Sequence, residues 1–217
     1  MTQIINQIIE QERKKTDELK KVIERRYVRI NSYDFKSLMF INIDRILAER
    51  NLLVKFEVND INKQIMNQLY YHLVGHKEKF NGNMQKGILI AGKNGIGKTL
   101  ILKAYCETRK MLFGRSCNTF HSKKLVELIR ENGYDDLIKR EIMIDDIGKE
   151  SREIVDFGTK IQPIADLIAF RYDKGSLTFA TTNYKIDTLS EFYGITTTDR
   201  FKEMFNLIEM EGESFRK

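Results

Sequence analysis

The residues with the strongest chemical signature form one glycine-rich run, GKNGIGKT, from Gly92 to Thr99. It fits the pattern G-x-x-x-x-G-K-S/T at each fixed position. A polyphosphate needs several backbone N–H groups converging on it without side chains in the way, and the glycines leave the backbone free to curl around it. The run predicts a loop that binds the phosphates of a nucleotide. The residues predicted to line this loop are Gly92, Lys93, Asn94, Gly95, Ile96, Gly97, Lys98, Thr99 and Leu100.

The elements on either side of the run have the order that such a loop requires. Ile88 to Ala91 is a short apolar segment typical of a buried parallel strand, and Leu100 to Lys110 can continue as a helix. A helix that opens near Thr99 adds the positive end of its dipole to the loop. We expect Lys98 to reach the β- and γ-phosphates and the Thr99 hydroxyl to ligate Mg²⁺.

A second group of chemical residues closes another apolar segment, EIMIDDIG, from Glu141 to Gly148. Ligands bind at the carboxyl ends of strands in open α/β sheets, so the two carboxylates of this segment are expected there. Asp145 is suited to hold Mg²⁺ through its water shell. Asp146 is suited to orient and polarise the water that attacks the γ-phosphate.

Asn183 follows a further predicted strand, Leu177 to Thr182, after a predicted helix that begins near Pro163. This extra helix and strand allow one strand to be inserted between the phosphate-loop strand and the Asp-Asp strand. Asn183 would then lie near the attacking water and the γ-phosphate. A simple turn cap is the alternative interpretation of this asparagine.

The preceding part of the chain is predicted to be helical. Residues 1 to about 30 form a partly amphipathic helix or hairpin, which either docks a partner protein or lies against its own core. A second amphipathic helix lies within residues 31–56. Asn59 and Asp60 cap a third, with Ile61, Ile65, Leu69 and Leu73 on one stripe and Gly75 as its end. We therefore divide the chain into a helical region, 1–55, and a sheet domain, 56–217.

The composition of the chain limits its partners, metal sites and localisation only broadly. The 217 residues carry a formal charge of +6, with 37 basic and 31 acidic side chains, so a polyanionic partner is compatible but not demanded. Cys106 and Cys117 lack metal-ligand spacing and are predicted to be reduced thiols, and the three histidines form no metal pattern. With no candidate membrane segment or signal peptide, we expect a cytoplasmic protein without a membrane partner.

The segments GILIAGKNGIGKT, IMIDDIGKE, IAFRYDKGSLTFATTNY, TDRF and GESFRK together resemble the AAA+ ATPase domain of the DnaC/DnaI-type replicative helicase loaders and their IstB-type transposition relatives. The resemblance covers roughly residues 60 to 217, and the combination is more specific than any one motif. It implies an α/β fold of the ASCE-type P-loop NTPases, a parallel sheet flanked by helices. It also implies ATP and Mg²⁺ as cofactors, assembly of protomers, often with single-stranded DNA, and an N-terminal region that binds the helicase.

The resemblance assigns roles to individual residues. Lys98 and Thr99 match Walker A, Asp145 and Asp146 match Walker B, and Asn183 matches sensor 1. Arg200 matches the arginine finger that would reach a neighbour's γ-phosphate, which makes hydrolysis depend on assembly. Judged by spacing alone, Arg200 is also compatible with a solvated arginine on a helix surface. Walker B ends in Asp-Asp where most AAA+ proteins have Asp-Glu.

The end of the chain departs from the fuller AAA+ pattern. The last predicted strand runs from Phe205 to Met210, which leaves no room for a full C-terminal helical lid. Arg216 is then at best a truncated substitute for the sensor arginine of the lid.

Three functions follow from these observations. The first is an ATPase, weak and assembly-dependent, that loads or remodels a replicative helicase; the second is an IstB-like regulator of transposition on duplex DNA; the third is an adaptor that binds ATP without hydrolysing it. Lys123, Lys124 and Tyr134 are candidate DNA contacts, through phosphates and base stacking. A solvated helix start with a loop tyrosine is an equally good interpretation of these three residues.

Overall fold

A computed structural model describes residues 2–24, 27–52, 54–156, 158–212 and 214. Arg216, the candidate lid arginine, lies outside the described residues. The helices are α1 Thr2–Glu24, α2 Ser32–Glu49, α3 Asp60–Val74, α4 Lys98–Phe113, α5 Ser122–Asn132, α6 Asp135–Ile138, α7 Pro163–Asp173, α8 Ile186–Tyr193 and α9 Ile195–Met204. The strands are β1 Gly87–Ala91, β2 Cys117–His121, β3 Glu141–Ile147, β4 Ile154–Asp156, β5 Thr159–Ile161, β6 Thr178–Thr182 and β7 Phe205–Glu209.

Five of these strands form a parallel sheet in the order β2-β3-β6-β1-β7. Strand β6 therefore lies between the phosphate-loop strand β1 and the Asp-Asp strand β3, which confirms the predicted insertion. Every residue of β1 and β6 is buried, because helices cover both faces of the sheet at its centre. The carboxyl ends of β1, β3 and β6 thus meet at one edge.

Strands β4 and β5 form a separate antiparallel pair that the sequence pattern did not predict. Each has only three residues, too few for a hydrophobic alternation to be recognised. The side chain of Val155, at the centre of β4, is 60% exposed.

Helix α3 begins and ends where the sequence predicts. Asn59 and Asn62 form reciprocal hydrogen bonds between side chain and backbone N–H, 2.9 and 3.0 Å long, and Gly75 ends the helix at φ +74°. The predicted stripe is correct for Ile65, Leu69 and Leu73, which are buried. It is wrong for Ile61, which is 36% exposed, because residues spaced by four drift about 40° around the helix at each step and Ile61 lies three steps from Leu73.

Helix α2 packs along α4 and shares its hydrophobic core. Phe35, Met39 and Ile43 of α2 are fully buried in this core. The buried Asn42 amide donates a 3.0 Å hydrogen bond to the Thr108 hydroxyl of α4, so the polar pair is satisfied inside the interface. The division of the chain at residue 55 stays a prediction.

Helix α1 presents an apolar face to solvent. Its described isoleucines are between 45% and 63% exposed: Ile4, Ile5, Ile8 and Ile9. These four side chains are largely open to solvent, while packing of residues 1–30 on the core of the same chain stays a prediction. Partner docking stays a prediction.

Among the described residues, no helix is both long and apolar enough to cross a bilayer.

Candidate nucleotide-binding site

The glycine-rich loop joins β1 to α4 at the centre of the sheet. Gly95 and Gly97 adopt φ of +83° and +95°, in the left-handed region that favours glycine. A Cβ on Gly92 would lie 2.1 Å from the Met210 carbonyl oxygen, so β7 leaves no space for a side chain there. Gly97 is the N-cap of α4 and supplies no side-chain acceptor, so the first N–H groups of the helix are available to an anion.

Lys98 begins α4 and directs its ammonium group into this loop. The side chain is 4% exposed, and Nζ donates hydrogen bonds to the Lys93 carbonyl oxygen at 2.7 Å and to Asn183 Oδ1 at 2.8 Å. A buried cation is tolerated only where acceptors or anions surround it. The loop therefore holds a nearly dry positive charge next to its backbone N–H groups.

Asp145 accepts hydrogen bonds from two threonines. The Thr99 hydroxyl of α4 and the Thr181 hydroxyl of β6 each donate to Asp145 Oδ1 at 2.6 Å. The structure thus brings together the two residues predicted to hold Mg²⁺, Thr99 and Asp145. Thr181 was missed as a partner of Asp145, although its place two residues before Asn183 puts it at the same edge of the sheet.

Asp146 lies at an irregularity of β3. Between the pairs Ile144–Ala180 and Ile147–Thr182, β3 has two residues, Asp145 and Asp146, where β6 has one, and Asp146 adopts φ +61°. Such bulges redirect side chains beside active sites. The Thr181 hydroxyl accepts from the Asp146 N–H at 3.0 Å, and the Ser122 hydroxyl donates to the Asp146 carbonyl at 2.9 Å, so both neighbours hold the unusual backbone in place.

The Asp146 carboxylate has three partners. Asn183 Nδ2 donates to Oδ1 at 2.8 Å, Lys149 Nζ donates to Oδ2 at 2.7 Å, and His121 Nε2 lies 3.8 Å from Oδ2. Burial alone would raise the pKa of Asp146, but the Lys149 and Asn183 hydrogen bonds and the nearby charges outweigh it and lower that pKa. This carboxylate is therefore ionised and a weak base.

Lys149 is another site residue that the sequence analysis missed. Besides Asp146, its ammonium group contacts Asn94 Oδ1 of the phosphate loop at 3.3 Å. Its spacing of three residues from Asp146 allows this contact, but the irregularity in β3 that orients Asp146 has no signal in the sequence. His121, which pairs with Asp145 in the β2–β3 register, was missed as well.

Arg200 lies on α9, and its guanidinium group lies beside Tyr172 of α7. Its guanidinium carbon lies 5.9 Å from the ring centre of Tyr172. The structure does not join Arg200 to the loop residues within this chain. Its assignment as a finger for a neighbouring protomer stays a prediction.

The candidate DNA contacts lie in two places: Lys123 and Lys124 at the start of α5, and Tyr134 after its end. Lys123 and Lys124 are exposed in the first turn of α5, close in sequence to His121. The ring of Tyr134 packs against Phe170 with 4.9 Å between ring centres, and its hydroxyl lies 3.4 Å from Asp166 Oδ2. Part of the tyrosine ring is therefore already covered, and base stacking by Tyr134 stays a prediction.

These residues fit a magnesium–nucleotide complex. The loop offers backbone N–H groups and the Lys98 cation to phosphates, and no side chain stands at Gly92, where a Cβ would collide with Met210. The Thr99 hydroxyl and the Asp145 carboxylate are hard oxygen ligands of the kind that Mg²⁺ takes together with water and phosphate oxygens.

The order of the strands, the phosphate loop on the inner strand β1 and the paired carboxylates on the strand beyond β6 define the AAA+ P-loop NTPase fold, and the solved structures of DnaC and DnaI have a similar fold. The DnaC helicase loader is 20% identical, with a TM-score of 0.55 over 72% of this chain and 94% of that chain. DnaI is 20% identical, with a TM-score of 0.54 over 76% and 88%. Domain III of the replication initiation protein DnaA from Thermotoga maritima is 19% identical, with a TM-score of 0.50 over 72% and 65%.

The sequence of this chain matches no protein-family model and no curated protein.

Proposed function

We propose that this protein is an ATPase that acts in DNA replication and assembles with a replicative helicase and single-stranded DNA. The likeness to DnaC and DnaI establishes the fold, and the activity is inferred from the site itself. The observation that carries the proposal is one continuous hydrogen-bond network. It runs from Lys98 through Asn183 to Asp146, beside the Thr99–Asp145 pair.

This network assigns a role to each side chain. Lys98 supplies positive charge at the phosphates, and its partner Asn183 keeps both the ammonium group and the Asp146 carboxylate in fixed positions. Asp146 orients the attacking water and accepts a hydrogen bond from it. Mg²⁺, held by Thr99 and Asp145, would supply Lewis-acid stabilisation of the phosphate charge.

Assembly would complete the site. Within its own protomer, Arg200 contacts Tyr172 and not the phosphate loop, so its charge is available to a neighbouring protomer. An arginine supplied by a neighbour stabilises the transition state only after the protomers have met. The rate of ATP hydrolysis would then depend on the assembly of the protomers.

Calorimetric titration with Mg·ATP tests the nucleotide site. We expect heat of binding for the wild-type protein and none for Lys98→Ala. Lys103→Ala is the matched control, because Lys103 lies on the same helix, is partly exposed and is expected to leave binding unchanged. Equal heats for wild type and Lys98→Ala, or no heat for either, would contradict the proposal.

Rates of ATP hydrolysis at several protein concentrations test the shared site. The rate per protomer should rise with concentration and with added single-stranded DNA, and Arg200→Ala should remove this rise. Lys202→Ala, two residues further along α9 and paired with Asp199 at 3.0 Å, is the control. A rate that does not depend on concentration would indicate a self-contained site.

One observation favours a second function, that of an adaptor that binds ATP without hydrolysing it. Lys149 already neutralises Asp146, the residue expected to polarise the attacking water. An Asp146→Asn variant that still binds ATP and stimulates or recruits the helicase as the wild-type protein does would support the adaptor. Loss of that effect would support the ATPase.

Direct binding to a hexameric replicative helicase, measured by analytical ultracentrifugation, tests the partner. We expect co-sedimentation that requires ATP. Failure to bind the helicase, combined with filament formation on duplex DNA, would contradict the role in replication and leave the ATPase site intact.

A further inference from the structure

A basic cavity of about 410 Å³ opens at the edge of the sheet opposite the candidate nucleotide-binding site. The loops that precede β2, β3 and β6 form it, so it lies at the amino ends of these strands. The phosphate loop and the paired aspartates lie at the carboxyl ends. The cavity is therefore a second, spatially separate feature of the fold.

Four exposed cations line the cavity: Arg115, Lys139, Arg140 and Lys174. The carboxylate among its lining residues is that of Glu141, and it is already bound to the buried guanidinium of Arg109 at 3.1 to 3.3 Å. Arg140 also lies 4.0 Å from Asp136, an exposed aspartate that does not line the cavity, and solvent weakens this pair. The cavity thus has a strong excess of positive charge.

A fully buried arginine that does not itself line the cavity, Arg171, ties together two of the segments that form it. Its guanidinium donates to the carbonyls of Leu137 and Leu177, the latter at 2.8 Å, and to the Thr178 hydroxyl at 2.9 Å. The Ser176 hydroxyl bridges the same two loops by donating to the Ile138 carbonyl at 2.5 Å. The loops are held in one arrangement, and Arg171 adds a fifth positive charge beneath them.

The distribution of these charges suits an extended polyanion. Strands β2, β3 and β6 are neighbours about 4.8 Å apart, so cations on their preceding loops span about 10 Å along the sheet edge. A single nucleic-acid strand carries one phosphate per nucleotide, so an edge of about 10 Å can contact about two successive phosphates. None of the lining residues, all of which the structure describes, is aromatic, so the cavity offers contacts to phosphates and not to bases.

We propose that this cavity binds the phosphodiester backbone of single-stranded nucleic acid, without sequence preference and without a requirement for ATP. The surface is distinct from the Lys123–Lys124 pair, which lies after β2 at the other edge of the sheet. The inference rests on the proposed assembly with single-stranded DNA, for which it names a contact surface, and it needs no part of the nucleotide site.

Fluorescence anisotropy with a labelled 20-nucleotide oligothymidylate tests this site in the full chain. Lys139→Gln/Lys174→Gln removes two cavity cations and should weaken binding at low salt at least tenfold. It should also reduce the slope of log affinity against log salt by about 1.4, because each contact on a single strand contributes about 0.7. The matched control, Lys63→Gln/Lys77→Gln, removes two exposed lysines elsewhere and should change affinity less than twofold.

The outcomes separate the possible ligands. Equal affinities for the cavity variant and the control would overturn the proposal, as would a loss seen only in Lys123→Ala/Lys124→Ala. Binding of pyrophosphate, but not of the oligonucleotide, to the wild-type cavity would show a small-anion site and also overturn it. A higher affinity for a 20-base-pair duplex than for the single-stranded oligothymidylate would also overturn the proposal. Mg·ATP titration of the cavity variant should match the wild type, so failure of the nucleotide site and failure of this site are distinguishable.

Discussion

Asn183 and Asp146 are joined by a 2.8 Å hydrogen bond from the asparagine amide to the aspartate carboxylate, across the ends of β6 and β3. The other end of the same amide accepts from Lys98 at 2.8 Å. Asn183 therefore holds two groups of opposite charge apart while contacting both. This geometry gives the amide a positioning role in the proposed hydrolysis.

Replacing Asn183 with alanine should lower kcat about 100-fold, because a preorganised polar group at a site of developing charge has about that effect. ATP affinity should change little, since Lys98 keeps its contact with the Lys93 carbonyl. Steady-state kinetics and calorimetry together give the two quantities. Asn118→Ala, an exposed position on β2, is the control. An Asn183→Ala protein with wild-type kcat would contradict the positioning role.

Lys149 should set the acid limb of the pH–rate profile. Burial favours the protonated form of Asp146, and the Lys149 hydrogen bond and charge oppose it. In Lys149→Met the opposing contribution is lost, so the pKa of Asp146 rises and activity falls off at a higher pH than in the wild type. Lys149→Arg keeps the charge and should keep the wild-type limb. An unchanged limb in Lys149→Met would show that Asp146 does not control the profile.

Gly92→Ala should destabilise the fold and prevent nucleotide binding, because the new Cβ would lie 2.1 Å from the Met210 carbonyl. We expect a loss of about 3 kcal/mol or more in the free energy of unfolding. Gly114→Ala is a matched control, since Gly114 also has a positive φ, +63°, but open space around it. It should cost about 1 to 2 kcal/mol from backbone strain alone. Chemical denaturation measures both, and similar losses would rule out the steric explanation.

His72 should make the protein sensitive to mild acid. Its Nε2–H donates to the Lys86 carbonyl at 2.9 Å, so Nδ1 accepts from the Tyr105 hydroxyl at 2.8 Å and the ring is neutral. Burial, with a smaller effect of Arg109, lowers the pKa of His72 to about 4. Below the unfolded pKa of about 6.5 the unfolded chain binds the extra proton, so stability falls as pH falls.

Between pH 7 and 5 this linkage should remove about 2 kcal/mol from the free energy of unfolding. Urea denaturation at the two pH values measures it. His72→Gln should show a smaller difference between the two pH values, while His76→Gln, at a partly exposed position, should behave as the wild type. An equal pH dependence in all three proteins would contradict the assignment.

The sequence predicted the longer helices before and after the phosphate loop, the sheet strands and the inserted strand, because strong local patterns mark them. The short helices α6, α8 and α9 were not predicted. The proximity of the phosphate loop, both aspartates and Asn183 was predicted because each lies at or just beyond the carboxyl end of a predicted strand, and those ends meet at one edge of a parallel sheet. The contacts of Thr181 and Lys149 were not predicted, since they depend on the extra residue in β3 between Ile144 and Ile147, a detail of register that no periodicity reveals.

The packing of α2 on α4 has a practical consequence for dissecting the chain. A fragment beginning at residue 56 would lack Phe35, Met39 and Ile43 and would leave the outer side of the phosphate-loop helix bare. Such a fragment should aggregate or stay unfolded even though it keeps all residues of the candidate nucleotide-binding site. Truncation ahead of Tyr27, which already packs on Gly75, should instead spare the sheet domain and remove only the exposed isoleucines of α1.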